Sequence, residues 1–222
     1  MLLTQLLVDE SSLSNSQTVA LLALMCFNEA RLESRLDEDG HLVPLDQQDR
    51  SRWNSALIRR GYTYLNRSSQ MESVAATRYH LEAAIASRHC AAISFDATDL
   101  VSICHLYDRL LEVAPSPIVE LNRAVAVSYR DGPFSAIPIV EAIRKAGRLP
   151  NSYSSAAVLA HLYARAGQHK TARRFLDEAL SGARTQHERQ LIAHQIEGAH
   201  VEEAGAPAAA RIDSDGTRLT PH

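Results

Sequence analysis

Aromatic residues are scarce in this chain, cysteines are few and unpaired, and basic charge is not in excess. Aromatics make up 5% of the 222 residues and Trp53 is the single tryptophan, while Ala and Leu are abundant and Gly and Pro fall between periodic segments. That balance favours helix over sheet. Cys26, Cys90 and Cys104 are an odd number, far apart and without a CxxC pair, so neither a disulfide framework nor a zinc knuckle is expected. They read as buried thiols of a cytoplasmic protein. A net charge of −3 and a pI near 6.4 argue against an electrostatic grip on nucleic acid, so direct nucleic-acid binding by this chain is not expected. The N-terminus MLLTQLLVDE has no basic lead, and Asp9 and Glu10 break its apolar stretch, so it is read as neither signal peptide nor membrane span. What remains is a globular chain whose 45% hydrophobic content can fill a sizeable core.

The densest polar stretch runs from Ala30 to Trp53. Asp39-Gly40, between Arg35-Leu36 and Leu42-Val43, has the turn chemistry of a two-residue β-hairpin, because Gly accepts positive φ and Asp tolerates it. A short hairpin inserted near residues 35–45 would bring Arg31, Glu33, Arg35 and Asp37 to face Asp46, Asp49, Arg50 and Arg52. Two readings follow: solvated surface pairs contributing roughly 0–1 kcal/mol each, or an Arg/Asp network under Trp53 that serves as a docking or ligand surface.

Elsewhere the apolar spacing is helical. It predicts helices over residues 17–36, 50–67, 73–90, 99–113, 117–130 and 134–146, with Ser14 or Asn15 as the first cap and Pro115-Ser116-Pro117 ending one helix and starting the next. Met1 to Val8 reads as the inside of a helix whose earlier turns are missing, as in a fragment. From Ser155 to Ala183 the residues Ala160, Tyr163, Gly167, Ala172, Leu176 and Ala179 follow the tetratricopeptide helix-turn-helix pattern, in which small residues let two helices approach closely. A shift of about 36 residues places the last three on Ala136, Val140 and Ile143. A capping helix over 185–198 and a flexible tail over 199–222 complete the expectation of one helical-repeat domain, 1–198. Within it, 1–72 holds the first helix pairs with the hairpin, and 73–198 holds the repeats and the cap.

The strings LLALMCFNEARLESRLDEDGHLVPLDQQDRSRW, YHLEAAIAS and TDLVSICHLYDRLLEVAPSPIVELNRAVAV, with the repeat after them, carry a further signal. They resemble the C-terminal tetratricopeptide-like extension of one group of extracytoplasmic-function RNA polymerase sigma factors, over roughly Leu2 to Glu197. The runs QDRSRW, APSP and LNRAVAV make the resemblance more specific than repeat periodicity alone. The chain departs from the family pattern at Asn54, His80 and Glu82. It contains neither of the sigma domains and no helix-turn-helix with a basic recognition helix, so promoter recognition is not expected of these residues. The resemblance implies an all-α, tetratricopeptide-like stack that regulates transcription initiation by contacting sigma-factor core domains, RNA polymerase or a regulatory protein or peptide. Dimerisation of the stack stays open. The alternative is a free-standing helical scaffold for a protein partner, and a small-molecule sensor or enzyme is a third class.

Arg31, Arg35, Asp49, Arg50, Trp53, Asn122 and Arg123 fall on the recurring motif positions of the resembling family and are the candidate partner- or ligand-binding residues. They either staple the stack together or line a groove in which Arg50 and Arg123 meet acidic groups of a partner. No catalytic residue, cofactor or metal site is assigned. His89-Cys90 and Cys104-His105 place thiol and imidazole side by side in sequence, but neighbours on a helix point apart, and no nucleophile elbow, HExxH or phosphate loop accompanies them.

Overall fold

Half of the described α-helices open on a side chain that accepts from backbone N–H groups left free in the first turn. The computed structural model describes residues 15–38, 40, 43–71, 75–149, 153–183 and 189. Asn15 Oδ1 accepts from Thr18 N–H at 2.8 Å and opens α1 (Ser16–Glu29). Asn54 Oδ1 accepts from Ala56 and Leu57 N–H, at 3.0 and 3.1 Å, and opens α2 (Ser55–Gln70). Ahead of α3 (Arg78–Ala91) the Thr77 N–H donates to His80 Nδ1, so His80 does there what a glutamine would do in a capping box. Asp99 caps α4 (Leu100–Val113), and Ser116 followed by Pro117 opens α5 (Pro117–Asp131). α6 (Pro133–Lys145), α7 (Tyr153–Arg165) and α8 (His169–Gly182) complete the described helices.

Consecutive helices pack on one another, and α1 packs on both α2 and α3. The fold is an all-α helical stack. Its interior runs as three apolar clusters along the stack: Ala23 and Phe27 with Ala83 and Ala86 at one end, Leu81, Ile103 and Leu110 with Val119 and Val127 in the middle, and Val140, Leu159 and Leu162 with Phe175 at the other. The repeat positions do what small residues are expected to do. Ala136, Ala160, Ala172 and Ala179 are all buried at the helix contacts. Gly167, at φ 71°, ends α7 in a Schellman motif: Gln168 N–H donates to Tyr163 O and Gly167 N–H to Ala164 O. Among the described residues no helix is long and apolar enough to cross a membrane.

Helix boundaries differ from the sequence expectation. α1 stops at Glu29, because the chain tightens into a 3₁₀ turn at Leu32–Ser34, α2 starts at Ser55, because Asn54 supplies the cap, and α3 starts at Arg78, after Thr77. The hairpin near residues 35–45 is not shown. Val43 N–H donates to Arg35 O at 2.8 Å and Leu36 takes part in an isolated β-bridge, but the residues needed to complete a hairpin, Asp39, His41 and Leu42, lie outside those described. Pro44 then offers no amide to extend a ladder. Gly40 does turn the chain at φ 81°, with its N–H on Asp37 O. Asp39, His41 and Leu42 lie outside the described residues, as do the N-terminal segment, the helix expected over 185–198 and the tail.

Close packing is tightest where α2 crosses Phe27. A Cβ placed on Gly61 would lie 2.6–2.9 Å from three ring carbons of Phe27, which is fully buried. Gly61→Ala is therefore expected to destabilise the chain by about 1–3 kcal/mol, overriding alanine's better helix propensity. Urea denaturation measures this, and an unchanged or raised midpoint would show that the ring can move aside.

Candidate functional site

The chain leaves α1 at Ala30 and returns to the same point, because Asn54 N–H donates to Ala30 O at 2.9 Å. Everything between forms one closed excursion, and Arg50 fixes it to the stack. Arg50 Nη1 donates to the carbonyls of His89 and Ala92, and Nη2 to Thr98 Oγ1 at 3.1 Å. His89 O and Ala92 O belong to the C-terminal end of α3, where carbonyls lack intrahelical partners and the helix dipole favours a cation. Arg50 thus closes α3 with a side chain supplied from a distant loop. Hydrogen bonds of this charged type contribute about 1.5–3 kcal/mol each.

Trp53 packs against the same guanidinium. Its ring lies 4.8 Å from the Arg50 guanidinium carbon and 5.5 Å from that of Arg31, and the residue is only 6% exposed. The Trp53 Nε1 and Arg31 Nε atoms are buried without a partner, so stacking over the ring is the visible compensation for their desolvation. Burial holds the Arg31 pKa below its ordinary value. Burial, reinforced by Arg31 and Arg50, lowers that of His89 to about 4, and the imidazole is neutral at pH 7. Cys90 moves the other way. Its burial outweighs the two arginines and pushes the thiol up to about 11, so it stays protonated and is a poor nucleophile.

The carboxylates of the stretch are not part of this clamp. Asp49 accepts from the N–H and the hydroxyl of Ser51 and so caps the 3₁₀ turn Arg50–Arg52, which lowers its pKa. Arg52 donates to the carbonyl of Glu33 at 2.8 Å. Asp46 reaches across to the stack, where Tyr129 of α5 donates its hydroxyl to Asp46 Oδ2 at 2.9 Å. With that proton committed, the Tyr129 oxygen, 3.3 Å from His161 Nε2 on α7, acts as acceptor and places the imidazole proton on Nε2. Arg165, one turn further along α7, lays its guanidinium 4.1 Å from the centre of the Tyr129 ring and donates to Ser128 Oγ. Phe95, from the α3–α4 connection, meets the Tyr129 ring edge to face at 4.7 Å.

Between the loop and these groups lies a cleft of about 840 Å³, lined among others by Asp46, Arg50, Phe95, Asp96, Tyr129 and Arg165. Ile93 stands at its rim, 91% exposed. Three of the seven sequence candidates, Arg31, Arg50 and Trp53, come together as the clamp beneath the cleft, and Asp49 lines its edge. Arg35 is exposed near the start of the loop. Arg123 is remote from the clamp and pairs with Asp108, joining α5 to α4 at 2.5 Å. Asn122 lines a second, inner chamber. Tyr129, His161, Arg165 and Phe95 were not expected from the sequence. Asp46 and Tyr129 are 83 positions apart, and no local pattern connects them. Among the described residues no group of three or more His, Cys, Asp and Glu side chains is placed to hold a metal ion.

The comparisons with known proteins attach to the same region. Residues 1–69 match the family of unknown function DUF6596. The matched segment contains the whole excursion with Arg31, Asp46, Arg50 and Trp53, but none of the stack residues that face it. A protein of Rhizobium meliloti (strain 1021), named uncharacterized protein R00370, is 32% identical over 181 residues. The match takes in 82% of this chain and 42% of that relative, so the chain spans less than half of the relative's length. No solved structure matches.

The two buried imidazoles set a pH dependence. His89 in the folded chain titrates near pH 4, below the ordinary 6.5, and His161 is also lowered, by burial and then by Arg165, against a smaller opposing effect of Asp46. The unfolded chain binds these protons first. Stability is therefore expected to hold above about pH 6.5 and to fall as pH drops towards 4, with a slope of up to about 1.4 kcal/mol per pH unit for each histidine. His89→Leu keeps the carbonyl that Arg50 uses and should flatten the melting profile between pH 6.5 and 4.5. Parallel profiles for the two proteins would contradict the assignment.

Proposed function

We propose that this chain is the regulatory C-terminal domain of an extracytoplasmic-function sigma factor and gates transcription initiation in the cytoplasm through protein–protein contacts. The reading rests first on the motif resemblance of its excursion and repeats. The observation that carries the docking role is the cleft: an open, mixed polar and aromatic groove on a helical stack, with Ile93 almost fully exposed at its rim. Repeat stacks commonly offer such surfaces to a peptide or a partner domain. A relative more than twice as long as the matched region agrees with a domain that works beside others.

In this reading the seven motif residues divide their work. Arg31, Arg50 and Trp53 hold the excursion in place, and Arg123 joins α4 to α5, so their effect on a partner is indirect. Direct contact falls to the rim, to Ile93, Asp96 and Arg165, with Arg35 and Asp49 on the loop side. A free-standing scaffold that uses the same cleft is the second reading, and the partner separates the two.

Size-exclusion co-elution of the purified chain with a separately expressed two-domain sigma fragment, at low and physiological salt, tests the proposal. Stable co-elution is expected, weakened by Ile93→Asp without a change in melting temperature. Absence of association at every concentration, with the chain folded, would overturn the sigma-domain contact and favour the free-standing scaffold.

A further inference from the structure

Adjoining the cleft is a smaller, partly open chamber of about 280 Å³, bordered by the loop Pro44–Gln47. Its floor is apolar: Ile103 of α4, Val125 and Ala126 of α5, and Ala157 and Val158 of α7, with Leu45 of the loop lying over them. Besides Asp46, Gln47 and Tyr129, four side chains with hydrogen-bonding atoms belong to this lining, His89, Tyr107, Asn122 and His161. All four are neutral at pH 7, since both imidazoles are held below their ordinary pKa and Tyr107 is pushed up to about 12 by burial. His89 Nδ1 is buried without a hydrogen-bond partner. Chamber and cleft share Asp46, Gln47, Phe95, Leu100, Tyr129 and His161, so the Asp46–Tyr129 hydrogen bond stands on the boundary between them.

We propose that the inner chamber is a binding site for a small, neutral, largely apolar molecule, aromatic or alicyclic, carrying one or two hydrogen-bonding atoms, and that the Pro44–Gln47 loop is its lid. The volume sits at the small end of the roughly 300–1,000 Å³ typical of ligand pockets, and the lining has their usual make-up of apolar walls with a few convergent polar groups. Charge selects against ions. The only charged side chain of the lining, Asp46, is already held by Tyr129, and an ionic ligand would enter without a counter-charge. The lid carries Asp46 and Gln47, which also line the cleft, and leads into Gln48 and Asp49 there, so occupation of the chamber alters the surface that a protein partner meets. The site stands on its own whether that partner is a sigma domain or another protein.

Fluorescence titration of the full chain with N-phenyl-1-naphthylamine, a neutral aromatic probe that brightens in apolar surroundings, tests this without any partner protein. A saturable single-site rise is expected. Val158→Trp fills the chamber from α7 and should weaken the probe about ten-fold or more, ~1.4 kcal/mol. Val158→Met, a milder filling that leaves the fold intact, should weaken it several-fold and decides the matter if the tryptophan variant does not fold. Phe134→Ala, at an exposed site away from the lining, should bind as the parent does. No saturable rise in the parent chain, or one that neither Val158 variant changes, would overturn the proposal.

Discussion

One guanidinium holds the two halves of this molecule's functional region in register. Arg50 comes from an excursion anchored at the end of α1, yet its hydrogen bonds are to the end of α3 and to the connection that leads into α4. A helix C-terminus presents carbonyls that must find donors, and a loop without regular structure must be tied down by side chains. Arg50 meets both needs at once. The Trp53 ring lies against the guanidinium, and Arg31 lies over the same ring.

The position of the loop follows from that clamp. With Arg50 fixed, the preceding residues run across the stack, and Asp46 lands on Tyr129 while Leu45 closes the apolar chamber. The two ends of the excursion are thus held differently, by a buried cation network at Arg50–Trp53 and by a single hydrogen bond at Asp46. Such an arrangement divides a region into a permanent anchor and a releasable edge. Residues 44–47 border the chamber, and Asp46 and Gln47 among them also line the cleft.

The helical architecture was largely legible from the sequence because it is set by local rules. Small residues at fixed spacing, Pro117 after Ser116 and Gly167 at a helix end each have one dominant structural consequence, and each has it here. The hairpin is a different case. The turn signal at Gly40 is real and Val43 N–H reaches Arg35 O, while Asp39, His41 and Leu42 lie outside the described residues, so a ladder is not shown. The site was half legible. Arg31, Arg50 and Trp53 were singled out together because they lie in one dense polar stretch, but the carboxylates beside them proved to serve a cap and a distant tyrosine. Tyr129, His161 and Arg165 join Asp46 only through the packing of α5 and α7, and side chains brought together that way leave no spacing pattern to read.

Backbone hydrogen–deuterium exchange of Arg50→Ala against the parent chain tests the clamp most directly. The account predicts that protection falls together at the C-terminal turn of α3, in the α3–α4 connection and at Trp53 and Asn54, while α7 and α8 exchange as before. Unchanged exchange at the end of α3, or loss of protection spread evenly over all helices, would contradict the claim that this one side chain joins the excursion to the stack.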